Sequence, residues 1–180
     1  VAVIDSGLEA THFDLVNRIA PGGYNFFSNN SNFNDTNGHG TAVSGVIAAQ
    51  TNNSIGIAGV AGVLEVKILP LKTADNSGIS QLSDVIRAID YAIEKNVDVI
   101  NLSMGSNKYS DIENAAVQRA VNKGIVVVAA AGNEGASYYD YPASYDGVLS
   151  VGSIASDNVV SGFSNHNDKV DVVAPGENIY

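Results

Sequence analysis

Residues 80–102, SQLSDVIRAIDYAIEKNVDVINL, read as a helix that passes directly into a strand. Within Ser80–Lys95 the apolar positions are Leu82, Val85, Ile86, Ile89 and Ile93, which form one stripe on a helix of 3.6 residues per turn. Ser80 supplies an N-cap, Asp84 suits the first turn, and Lys95-Asn96 is a reasonable stop. Val97–Leu102 is the following strand. The alternation continues on both sides. Val1–Asp5, Leu64–Leu69 and Ile125–Ala130 are apolar, β-branched runs, and Val148–Ile154 and Val170–Ala174 are weaker ones. Further helices are expected at His39–Gln50, with Val43, Val46 and Ile47 inward, and at Asp111–Lys123, capped by Ser110 and ended by Gly124. The expected fold is α/β: a doubly wound, mostly parallel sheet, buried on both faces, with helices on both faces. Functional loops then sit at the carboxyl ends of the strands.

The chain has 180 residues, enough for one domain. Apolar residues make up 45% and charged residues 16%, a globular balance. With 9 Lys and Arg against 19 Asp and Glu, the net charge of −10 argues against nucleic acid or an anionic membrane as partner. Cysteine is absent, which excludes disulfides, thiol catalysis and Cys-based zinc sites. No apolar run approaches the roughly 20 residues of a membrane span. Val1–Asp5 begins as a buried strand with no cap before it, and Ala174–Tyr180 closes without an element. The expectation is a partial domain over 1–180, incomplete at both ends. Ser28–Asn37, rich in Asn, reads as a surface loop.

Three strand ends or helix starts carry chemistry. Asp5 closes the first strand, where a carboxylate must be hydrogen-bonded or paired. His39 stands between Gly38 and Gly40 at a helix start, so its imidazole projects freely. Together they suggest a general base with an orienting carboxylate. Asn133 follows the Ile125–Ala130 strand in AAAGNEG, residues 129–135, and its amide can donate to a developing oxyanion. Taken singly, each residue reads as well as a turn or structural residue.

In this order, VIDSG (3–7), HGT (39–41) with Gly45, and VAAAGNEG (128–135) resemble the subtilisin-like serine proteases. NLSMG (101–105) is similar to that family's substrate-binding strand and NNSIG (52–56) to its calcium loop. The resemblance covers essentially the whole chain and implies a subtilisin-like three-layer sandwich and a serine endopeptidase. It implies that Asp5 orients His39, that His39 is the general acid/base, and that Asn133 helps form the oxyanion hole. It implies peptide binding as an added strand along Ser77-Gly78 and Ser103-Met104-Gly105, with Ala130-Ala131-Gly132 walling the pocket for the residue before the cut. It implies a structural calcium ion held by Asp14, Asn53 and the carbonyls of Thr51, Ile55 and Ile57, with a further ligand upstream of Val1. It also implies an N-terminal prodomain and a secreted or cell-surface location, and no organic cofactor.

Departures from the family pattern are informative. The nucleophile motif Gly-Thr-Ser-Met-Ala does not occur. Ser103 matches a substrate-binding position, and Ser161 and Ser164 read as residues of a surface loop, so none replaces it. Ala42 stands where many relatives carry a second, non-catalytic His. Asp140, before Tyr141-Pro142, occupies the pocket-floor position that broad-specificity members fill with Gly or Ser, and Glu134 lies at the rim. Two carboxylates there imply preference for Arg or Lys before the cut. One alternative is a catalytically inactive homologue acting as a binding or regulatory protein, which the residue at the full-length nucleophile position decides. Another is a nucleotide-binding domain, but no Gly-x-Gly-x-x-Gly follows the first strand and no Walker lysine motif occurs.

Overall fold

The computed structural model describes residues 1–179. Seven strands belong to one sheet, in the order β2-β3-β1-β4-β5-β6-β7. They are β1 (Ala2–Asp5), β2 (Tyr24–Asn25), β3 (Leu69–Lys72), β4 (Val99–Leu102), β5 (Val126–Ala130), β6 (Val148–Ile154) and β7 (Val172–Pro175). The helices are α1 (His39–Ala48), α2 (Leu82–Glu94) and α3 (Asp111–Asn122), with one 3₁₀ turn at Val16–Arg18. The α/β alternation is the one expected, and the chain divides into two compact units at Ile100–Asn101.

In the first unit β3 lies between β2 and β1, parallel to both, with Ala2 opposite Leu69 and Asp5 opposite Lys72. Every residue of β1 and β3 is buried, as a continuous apolar run requires. Val3, Leu8, Ala48 and Ile68 form a core against which Phe33, Val43 and Ile47 pack. The β3 strand begins where the predicted Leu64–Leu69 strand ends. Val63 and Leu64 are exposed, and Arg18 reaches the carbonyls of Leu64 and Gly62, which makes that segment a turn. The true strand contains Pro70. The Leu69 and Thr73 N–H groups donate to Val1 and Asp5, so Pro70's missing N–H falls on the side of β2, whose pairing begins only at Leu71.

Two helix details differ from expectation. The α2 helix starts after Gln81 with no side-chain cap, because Ser80 Oγ pairs with Thr73 Oγ1 at 2.9 Å. Its buried stripe is Val85, Ala88, Ile89 and Ala92, while Leu82 is exposed. The α1 helix ends at Ala48 and turns Gly40, Ser44, Gly45 and Ala48 inward; Val43 and Ile47 lie on the flank and Val46 is exposed. A stripe of small residues brings this helix close to β1.

In the second unit β5, β6 and β7 are parallel, with Val127 opposite Val148 and Val151 opposite Val172. Burial alternates along β5 and β6, and β7 is exposed throughout, so these strands are not buried on both faces as expected. The α3 helix has the predicted cap: Glu113 N–H donates to Ser110 Oγ at 3.3 Å, and Gly124 beyond its end has φ +79°. Ser161 and Ser164 are buried, contrary to the surface reading. They bond Ser153 Oγ (2.7 Å) and Ser153 N (2.9 Å) on β6.

Candidate active site

Asp5 ends β1 and His39 begins α1, and the fold brings them together. His39 Nδ1 lies 2.8 and 3.0 Å from the two Asp5 carboxylate oxygens. A carboxylate accepts, so the contact selects the Nδ1–H tautomer and leaves the lone pair at Nε2. Asp5 is buried, whereas the His39 side chain is 53% exposed, so the ring can be reached from solvent. The hydrogen bond to Asp5 raises the His39 pKa; burial opposes this, and the charges of Asp5 and Asp35 add to it.

The pair is framed by residues that sequence reasoning did not single out. The Asp35 carboxylate accepts from the N–H groups of Asn37, Gly38 and Thr41, the Thr41 hydroxyl and the Ser6 hydroxyl, at 2.7–3.0 Å. Burial alone would raise its pKa, but the bonds from Gly38, Thr41 and Asn37 prevail and lower it to about 2. Ser6 N–H donates to Asp5 at 2.6 Å, and Ser6 Oγ accepts from Gly40 N at 2.8 Å. Lys72 is buried and its Nζ donates to the Ser6 carbonyl. An Asp just ahead of a helix start was a legible signal for Asp35. Nothing local signals Lys72. The exposed turn holding Ser77 and Gly78 is shaped by Asp75 Oδ1, which accepts from Ser77 N and Ile79 N. Asn37 Nδ2 donates to Asn76 O at 3.2 Å, which ties this turn to the loop before His39.

In the second unit Ala130 closes β5, Ala131 is buried, and Gly132 turns the chain at φ +107°. Asn133 is exposed, and its N–H donates to Glu134 Oε2 at 3.1 Å. Asn165, which carried no sequence signal, organises this loop. Its Oδ1 accepts from Glu134 N and Ala136 N at 3.2 Å, and its Nδ2 donates to Glu134 Oε2 at 2.6 Å. Ser106 and Tyr141 pair backbone to backbone, carrying the Ser103-Met104-Gly105 segment to Asp140. Ser103 Oγ accepts from Asn101 Nδ2 at 3.0 Å. A Cβ on Gly132 would lie 2.5 Å from Asp140 Oδ2 and 2.9 Å from Glu134 Oε2, and one on Gly105 would lie 3.5 Å from Asp140 Oδ2. Gly105, Gly132, Glu134 and Asp140 thus converge on one spot. Asp140 is buried, and burial, then the charge of Glu134, raises its pKa.

The third predicted group is partly assembled. Asp14 is buried, and its carboxylate accepts from Asn53 Nδ2 at 2.7 Å and Ile57 N at 3.0 Å. Ile55 N–H donates to Asn53 Oδ1 at 3.1 Å. The loop wraps Asp14 so closely that a Cβ on Gly56 would collide with Asp14 Oδ2. Thr51 and Ile57 are half-buried in the same loop. Among the described residues no three His, Cys, Asp or Glu side chains are grouped to share a metal ion.

A family model described as the subtilase family matches residues 1–180. The chain is 45% identical over 179 residues to a thermophilic serine proteinase of Bacillus sp. (strain AK1), covering 99% of this chain and 44% of that protein. It is 42% identical over 180 residues to thermitase of Thermoactinomyces vulgaris, covering 100% and 63%. A crystal structure of a cold adapted subtilisin-like serine proteinase superposes with a TM-score of 0.89 at 34% identity, covering 99% of this chain and 63% of that one. The chain spans about half the length of the curated relatives it matches.

Proposed function

The chain belongs to the subtilase family, and from that premise we propose that it is the Asp- and His-bearing part of a serine endopeptidase whose nucleophile lies outside these 180 residues. The observation that carries the reading is the Asp5–His39 contact at 2.8 Å, with the imidazole half exposed. In this reading a serine hydroxyl from elsewhere in the protein gives its proton to His39 Nε2 as it attacks the scissile carbonyl. His39 then protonates the leaving amine, and Asp5 holds the ring and stabilises the imidazolium. Asn133 donates to the tetrahedral oxyanion. Loss of that donor costs about 3–4 kcal/mol of transition-state stabilisation, a value that comes from subtilisin itself.

The substrate is a polypeptide bound as an extra strand beside Ser77-Gly78 and Ser103–Gly105, with Ala130, Ala131 and Gly132 walling the pocket before the cut. Asp140 and Glu134 favour Arg or Lys there. Calcium is assigned to the Asp14 loop on the strength of its buried carboxylate and of the Asn53 amide beside it, which on flipping would turn its oxygen to the ion. Asp14, the Asn53 side chain and the carbonyls of Thr51, Ile55 and Ile57 would hold it, and bound calcium would stabilise the loop. A prodomain and a secreted or cell-surface location complete the proposal. No helix among the described residues is long and apolar enough to cross a membrane.

The test is the full-length protein with His39→Ala. Its kcat/KM on a peptide substrate should fall by about four orders of magnitude or more, and fluorophosphonate labelling should slow in parallel. Undiminished cleavage by the variant overturns the reading.

A further inference from the structure

Lysine is almost never fully buried unless something compensates its charge. Lys72 is only 5% exposed. It ends β3 directly opposite Asp5, the last residue of β1. An apolar side chain at this position would satisfy packing without the cost of desolvating an ammonium. Burial accordingly lowers the Lys72 pKa, and the charges of Asp35, Asp75 and Asp5 act against that shift. These three carboxylates come from three segments: the loop before α1, the turn after β3, and β1.

The partner of the Lys72 ammonium is the Ser6 carbonyl. Ser6 occupies the turn from β1 towards Gly7, whose φ is +116°. The same residue holds Asp5 through its N–H, and Gly40 and Asp35 through its hydroxyl. Glycine at Gly7 permits the 6–7 peptide to rotate. Without a donor on its carbonyl, Ser6 would lose the contact that fixes that peptide plane. Three other contacts, two of them directly to Asp5 and to the first turn of α1, depend on the same residue.

We propose that Lys72 is a positioning residue of the Asp5–His39 pair, fixing the Ser6 peptide behind Asp5 and placing a buried positive charge that opposes protonation of His39. The proposal rests on the reading of Asp5 and His39 as orienting acid and base. Asp5 and Asp35 both favour the imidazolium. Lys72, in register with Asp5 and within reach of the charges of Asp5 and Asp35, would offset part of their field, so the base would be neutral over a wider pH range.

Full-length protein carrying Lys72→Met is compared with wild type, Lys72→Arg and His39→Ala, with rates normalised to sites titrated by a fluorophosphonate. The acid limb of the kcat/KM–pH profile should move up by about half a pH unit or more in Lys72→Met. The kcat should fall by about tenfold or more with KM changed far less, and Lys72→Arg should restore the limb. If Lys72→Met does not fold, Lys72→Gln is measured in its place with the same expected upward shift, since it too removes the charge. A folded variant with an unmoved acid limb and wild-type kcat, alongside an inactive His39→Ala, overturns the role of Lys72 and leaves the endopeptidase reading standing. An active His39→Ala overturns that reading, and the proposal with it. A lower melting temperature with an unmoved limb assigns Lys72 to stability alone and also overturns the proposal.

Discussion

Four hydrogen bonds meet at Ser6, to Asp5, Asp35, Gly40 and Lys72. The candidate base is therefore held through a small residue whose own chemistry is not used. Asp140 is a second residue whose placement bears on the proposed specificity. It is buried beside Gly132 and Gly105 with Glu134 close by, and burial and the Glu134 charge raise its pKa. In the proposed reading, a guanidinium or ammonium entering this spot would meet the buried Asp140 carboxylate and the more exposed Glu134 carboxylate. In the full-length enzyme, Asp140→Gly should reduce the ratio of kcat/KM for Arg over Leu before the cut by about tenfold or more, as read with paired peptide substrates. In wild type the same ratio should fall as pH drops through the raised Asp140 pKa, because protonation removes the charge. Using a ratio cancels the titration of His39, which acts on both substrates. An apolar preference that Asp140→Gly leaves unchanged removes Asp140 from specificity. Asp5 and His39 were legible because a strand-end acid and a glycine-flanked histidine are local patterns. Lys72 and Asn165 were not, because their importance arises from strand register and loop closure, which no local spacing encodes.

The α3 helix shows how one element carries a cost of its own. Glu113, in its first turn, is buried, and burial raises its pKa while the Tyr145 hydroxyl bond acts against the shift. Tyr145 Oη lies 2.9 Å from Glu113 Oε2 and 3.0 Å from Ser110 O, yet one hydroxyl proton can serve only one of them. A protonated Glu113 donates to Tyr145, which then donates to Ser110, and all three groups are satisfied. With its folded pKa above the unfolded value, Glu113 costs stability progressively as pH rises between the two. Glu113→Gln mimics the protonated form at every pH. Its melting temperature should exceed that of wild type at pH 8, and the difference should close near pH 4. Equal melting temperatures at both pH values would dismiss the cost. The α3 boundaries were readable because Ser110 and Gly124 mark them chemically. The β3 strand was misread because Pro70 and Lys72 make it look like a loop, and the two-residue β2 has too few residues to show any period.

At the scale of the molecule, 180 residues with a net charge of −10 repel one another unless the charge is offset locally. Asp14 carries one of these charges into a buried loop, and a divalent cation bound there would stabilise the folded state by mass action. The thermal inactivation half-life of the full-length protein should therefore shorten several-fold in a calcium chelator. Gly56→Ala should shorten it further, since its Cβ would strike the Asp14 carboxylate at a backbone of φ +55°. Equal half-lives with and without chelator would rule out the calcium assignment. A different kind of closeness governs the base. A Cβ on Gly40 would collide with the carbonyl of Gly7 and approach Asp5. The Asp–His distance is thus set by main chain lying on main chain, with no core side chain between. In evolutionary terms, the hydrophobic interior of a lineage can drift through many repackings without altering the spacing of acid and base. The freedom to diversify the scaffold rests on two positions that cannot themselves diversify.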